Sequence, residues 1–162
     1  MVNKPKKIGT AAESAVVRFL VANGWPNAER RTLKGSSDQG DVTGVPGLVF
    51  EVKGGNEART ASDGLIAEWL DETATETENA KADYGILVVQ RKGIGPKNAG
   101  RWWAIMSAGD LFRLHDGDLS GLVGSYYTAD MAVRLHLADM CCLLRMAGYG
   151  DPLPDPMAEV SR

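Results

Sequence analysis

Asp41, Glu51 and Lys53 have the types and spacing for chemistry on a phosphate. In the run Leu48-Val-Phe-Glu-Val-Lys53, a strand alternates its side chains. Leu48, Phe50 and Val52 then share one face while Val49, Glu51 and Lys53 share the other. Asp41 stands ten residues before Glu51, across a Pro46-Gly47 turn. A hairpin loop with an odd number of residues centred on Pro46 sets Asp41 directly opposite Glu51, and a two-residue loop does not. Two acids at close quarters need a cation to stay ionised. Hard oxygen donors with open positions for water and phosphate suit magnesium, and no His/Cys set favours zinc. The expected chemistry is a metal-polarised phosphate and an activated water. Lys53 would orient or deprotonate that water and neutralise charge growing on the phosphorane. Glu13 adds a third carboxylate, on the helical stripe of Val16, Val17 and Leu20, where an acid is costly unless it is used.

Glu51, Lys53 and Glu13 also have a plainer explanation. Glu51 and Lys53 can form an exposed ion pair on an edge strand, and an isolated Glu-x-Lys has little specificity. Thr10 followed by Glu13 is a capping-box signature, which accounts for Glu13 without any chemistry. The order helix acid, strand Asp, Pro-Gly turn, Glu-Val-Lys is much rarer by chance than any one of its parts.

The elements that must position these residues follow from periodicity and turn chemistry. A first helix is expected from about Thr10 to Asn23, ended by Gly24, then a short extended piece near 28–32 and the hairpin 41–53. Ser62 caps a second helix to about Ala82. Leu65, Ile66, Trp69 and Leu70 form its apolar stripe, and Glu68, Asp71, Glu72, Glu76 and Glu78 its wetted face. Tyr84 to Gln90 reads as a buried strand, Arg101 to Met106 as its neighbour, and 108–114 as a short helix. Trp102 and Trp103 then point to opposite faces. An amphipathic helix is expected over 129–147, before Gly148. The fold class is α/β, a central mixed β-sheet flanked by α-helices. One domain is expected over residues 1–150, with 151–162 as a loose tail.

Composition narrows the setting. No run approaches the roughly 20 apolar residues of a membrane span, and the polar start lacks the apolar segment of a secretory signal. A cytoplasmic protein without membrane contact is expected. The adjacent Cys141 and Cys142 fit neither a disulfide framework nor a zinc site and read as packing. His115 and His136 have no second ligand at metal spacing, and Gly93-Ile-Gly95-Pro96 does not complete a nucleotide-binding loop. The net charge of −3 hides a basic amino-terminal segment. Its first 35 residues hold seven basic side chains against two acids. Arg91, Lys92, Lys97 and Arg101 form a second basic stretch. Two basic patches on an acidic body suit a chain that offers one face to DNA.

The stretches Gly9-Thr-Ala-Ala-Glu13-Ser-Ala-Val-Val-Arg18, Asn23-Gly-Trp-Pro-Asn-Ala-Glu-Arg-Arg31, Asp38-Gln-Gly-Asp41-Val and Pro46-Gly-Leu-Val-Phe-Glu51-Val-Lys53 carry a resemblance. They resemble the Holliday junction resolvase-like nucleases of actinobacterial phages, within the PD-(D/E)XK superfamily, and more distantly the archaeal Holliday junction resolvases. The resemblance covers the first third closely and runs more loosely through Gly85 to Arg91 and Trp102 to Met106. It implies a restriction endonuclease-like core, magnesium or manganese dependence, and a symmetric homodimer that nicks two strands of a four-way DNA junction. Glu13 matches the family's helix acid, Asp41 and Glu51 its metal carboxylates, and Lys53 its catalytic lysine. The Val52 carbonyl would be a further metal ligand. Arg30, Arg31, Lys34, Ser36 and Ser37 match a basic segment and loop near the scissile phosphate in character more than in motif. With Arg91 and Lys92 they are the expected DNA contacts. The family's proline is absent before Asp41, where Gly40 stands. Two alternatives remain open: a repair, recombination or restriction nuclease of the same fold, or a catalytically silent DNA-binding module.

Overall fold

The computed structural model describes residues 4–32, 38–115 and 131–154, of residues 4–8 the backbone alone. The elements in chain order are α1 (Lys4–Ala22), β1 (Glu29–Arg30), β2 (Val42–Thr43), β3 (Leu48–Lys53), α2 (Gly55–Arg59), α3 (Asp63–Ala80) and β4 (Tyr84–Val89). A 3₁₀ turn (Pro96–Arg101), β5 (Trp103–Ser107), α4 (Ala108–Leu114), β6 (Ala132–His136) and α5 (Leu137–Met146) follow. Four strands form a mixed sheet in the order β3-β4-β5-β6. β3 and β4 are parallel, and the other two pairs are antiparallel. The parallel pair needs a crossover, which α2 and α3 supply. The expected central mixed sheet flanked by helices is present. Among the described residues no helix is long and apolar enough to cross a membrane.

Side-chain alternation splits the core between the two faces of this sheet. Phe50, Val52, Ile86, Val88, Ala104 and Met106 pack with α1 and α5 through Val16, Leu20, Leu137, Met140 and Leu144. Leu87, Val89 and Ile105 pack on the other face with α3 through Ile66 and Trp69. Trp102 is fully buried and donates its indole N–H to the Ile94 carbonyl at 3.0 Å, while Trp103 on the opposite face is half-buried. Of the adjacent cysteines, Cys141 packs in the core. Cys142 is exposed, because successive helical positions are about 100° apart and only one can face inward.

Several boundaries differ from expectation, each for a physical reason. α1 begins at Lys4 with Pro5 in its first turn, a position proline tolerates, so Thr10 lies inside the helix and is not its N-cap. The span 129–147 is not one helix. Residues 132–136 pair with β5 over five registered positions, and among the span's described residues only Leu137–Met146 is helical. Val133 and Leu137 fit a helical period, but a vacant sheet edge outweighs local propensity. The carboxyl-terminal segment is tied at its start, where the Asp151 N–H donates to the Gly24 carbonyl at 2.6 Å. Residues 155–162 lie outside the described residues.

The expected hairpin also takes another form. β2 pairs antiparallel with β1, and β3 is the edge of the main sheet. The connection to β3 is held by the Asp41 N–H to the Phe50 carbonyl at 2.9 Å and the Leu48 N–H to the Val45 carbonyl at 3.0 Å. Gly40 permits this approach. Its φ of +84° lies in the region favoured by glycine, and a Cβ there would stand 2.7 Å from Val49 and 3.0 Å from the Phe50 carbonyl. A proline, fixed near −65°, could not take this conformation.

Candidate active site

Asp41 reaches the edge of β3 with its side chain as well as its backbone. Its Oδ2 accepts the Val52 N–H at 2.8 Å, the place a neighbouring strand's carbonyl would fill in a continuous ladder. Strand geometry turns the Val52 carbonyl to the same edge as its N–H. Asp41 is also close enough to Glu51 for the two carboxyls to interact by charge and hydrogen bond. The expected meeting of Asp41 and Glu51 is present, through a side-chain bond at an edge instead of a hairpin register. Burial, then the charge of Glu51, push the Asp41 carboxyl up to about 7. Burial likewise pushes Glu51 up to about 7, against the opposing pull of Lys53.

Lys53 lies beside Glu51 on the same strand face, as alternation requires. Its Nζ is 2.9 Å from Glu51 Oε1 and 2.8 Å from Glu72 Oε2, and it sits 5.6 Å from the centroid of the Trp69 ring. Burial works against the charged form, but hydrogen bonds to Glu72 and Glu51 outweigh it and hold Lys53 well above its ordinary value. It is therefore an ammonium that can orient water and stabilise anionic oxygen.

Glu13, half-buried on α1, accepts Arg30 Nε and Nη2, both 2.8 Å from its Oε2. Its charge reaches Asp41 and helps raise that carboxyl. The capping role offered for Glu13 falls away, because the helix starts well upstream.

Two acids that the sequence placed on a wetted face belong to this site. Glu72 is exposed but binds Lys53 at 2.8 Å. Glu76 is only 6% exposed and lies within hydrogen-bonding reach of Glu51. Burial is the first cause of its carboxyl rising to about 7. The signal was available in the spacing. Extending the Ile66 and Trp69 stripe by the helical period lands on Thr73 and Glu76, and these four are the buried residues of α3.

The expected DNA contacts fare unevenly. Arg30 is committed to Glu13. Arg31 is half-buried, with Nη1 3.3 Å from Gln39 Oε1. Arg91 lies 4.4 Å over the Trp103 ring and 2.9 Å from His136 Nε2. It follows β4 at the same end of the sheet as Lys53, since Lys53 pairs with Val89 and Val89 with Trp103. Lys92 is exposed. Lys34, Ser36 and Ser37 lie outside the described residues.

All of the acidic donors here are hard oxygens, and they outnumber the adjacent cations, which is the donor set for a divalent metal such as magnesium. Among the described residues no three His, Cys, Asp or Glu side chains are already gathered as a metal group. Glu76 Oε2 is closed off from solvent without a hydrogen-bond partner, an orphan that a cation would satisfy. No protein-family model, curated protein or solved structure matches this chain.

Proposed function

We propose that this chain is a magnesium-dependent DNA endonuclease with a restriction endonuclease-like core, and that it cuts four-way junctions by paired nicks. The observation that carries the reading is the convergence of Asp41, Glu51 and an ammonium-form Lys53 at one edge of the sheet. Asp41 and Glu51 would hold the cation, with the Val52 carbonyl turned to the same edge. When bound, magnesium, or manganese in its place, polarises a phosphate and lowers the pKa of water.

This chain's own residues supply the rest. The Val52 N–H fixes the Asp41 carboxyl at the edge of β3, beside Glu51. Lys53 offers N–H donors and a positive charge to the phosphate oxygens as negative charge develops on them. Glu13 is paired with Arg30, and the exposed Lys92 offers positive charge to the DNA backbone. Paired nicks on opposed strands call for two such centres, hence a symmetric homodimer.

The test is cleavage of a labelled four-way junction beside linear duplex, flap and single-stranded DNA, with magnesium or manganese, by wild type and Asp41→Asn. Paired symmetric nicks on the junction that vanish in the variant are the expected result. Equal cleavage of every substrate keeps the nuclease and discards junction specificity. Binding without cleavage by the wild type overturns the catalytic reading and leaves a DNA-binding module.

A further inference from the structure

α3 brings the cluster an acid with no structural partner for one of its oxygens. Glu76 continues the inward stripe of Ile66, Trp69 and Thr73 and is 6% exposed. Its carboxyl lies within hydrogen-bonding reach of Glu51, and its Oε2 is closed off from water with no donor bonded to it. Its neighbour one turn earlier, Glu72, is exposed and is satisfied by the Lys53 ammonium at 2.8 Å. An acid buried among acids, with an oxygen unpaired, is costly in folding terms alone. A glutamine of the same shape would pack there without the charge.

We propose that Glu76 is a third carboxylate of the divalent-cation site, so that the cation joins helix α3 to the edge of β3. The ligand class is a hard divalent ion of the Mg2+ or Mn2+ type, which takes carboxylate oxygens and keeps several waters. The inference rests on the cation-binding part of the nuclease reading. It extends the site from two carboxylates on one edge to three carboxylates on two elements, which must draw together as the cation binds, since among the described residues no three are already gathered as a metal group. Occupancy then depends on how α3 seats against β4, where Gly85 allows Thr73 and Thr77 to approach closely.

The experiment is a Mn2+ titration of the full chain without DNA, followed by calorimetry. It is run on wild type, Glu76→Gln, Asp41→Asn and, as an exposed control on the same helix, Glu68→Gln. Melting temperatures are read with and without Mn2+. Glu76→Gln is expected to weaken Mn2+ binding by about ten-fold or more, since the charge count of the ligand set governs affinity. Its metal-free melting temperature should equal or exceed that of wild type, and Glu68→Gln should change neither. Wild-type Mn2+ affinity in Glu76→Gln, with loss in Asp41→Asn, overturns the role of Glu76 and leaves the cation centre standing. A metal-free Glu76→Gln that melts well below wild type makes the carboxyl part of the packing and also overturns the proposal. No Mn2+ binding by the wild type sinks the inference and the metal reading together.

Discussion

Lys53 keeps its proton because two carboxylates bind one amine, and that fixes what the residue can contribute. Lys53→Ala should lower cleavage by roughly 100-fold or more, the scale of losing one donor to a developing oxyanion. It also strips Glu51 and Glu72 of their counter-charge, so its melting temperature should fall further below wild type at pH 8 than at pH 5. Wild-type cleavage by this variant would remove the lysine from the chemistry. Glu13 gives a second residue-scale prediction. Because Thr10 lies inside α1, Thr10→Ala should cost well under the ~1 kcal/mol of a lost helix cap. Glu13→Ala should cost little stability, since its pair with Arg30 is partly exposed, yet it should reduce cleavage. Denaturant midpoints beside cleavage rates check both, and a large stability loss at Thr10 would restore the capping explanation.

At the scale of elements, α3 is what turns a strand carrying an acid and a lysine into a site. Ser62 caps its start by accepting the Leu65 N–H, and its inward stripe runs from Ile66 to Glu76. Its seat on the sheet depends on Gly85, where an added Cβ would stand 2.2 Å from Thr77 Oγ1 and 2.9 Å from Thr73 Cγ2. Gly85→Ala should therefore destabilise the protein by about 1 to 3 kcal/mol, the usual cost of overpacking. It should also cut activity by shifting Glu72 and Glu76. Removing the tighter obstacle in Gly85→Ala with Thr77→Ala should recover part of both losses in denaturant melts and cleavage assays. No recovery would mean that the clash is not the cause. The helix itself was legible from its cap and stripe. That its stripe ends in an acid was legible too, once the period was extended past Trp69. That this acid meets Glu51 was not, because nothing local says which sheet face a crossover helix will cover.

The whole molecule carries an excess of buried acid at one sheet edge, and this sets its response to pH. Asp41, Glu51 and Glu76 rise from ordinary values of 3.8, 4.5 and 4.5 to about 7. Between about pH 4 and pH 7 the folded chain then binds more protons than the unfolded one, so its stability falls as pH rises through that window. Metal-free protein should melt lower at pH 8 than at pH 5, by several degrees at least. Magnesium should close most of that gap, because a ligand that binds only the folded state stabilises it. A flat melting profile from pH 5 to 8 would show that these acids are not stressed by burial.

The sequence by itself determined the α/β class, most element positions and the placement of Glu51 beside Lys53, because strand alternation, helical period and capping act over a few residues. It also brought Asp41 near Glu51, though by the wrong route. Only the tertiary structure decided that β2 leaves β3 for β1, that β6 takes the sheet edge and shortens the last helix, and that Arg30 serves Glu13. It alone showed Glu76 inside the acidic cluster. These outcomes turn on which surfaces compete for a sheet edge or face. That competition is settled by contacts between residues far apart in the chain, which no local pattern records.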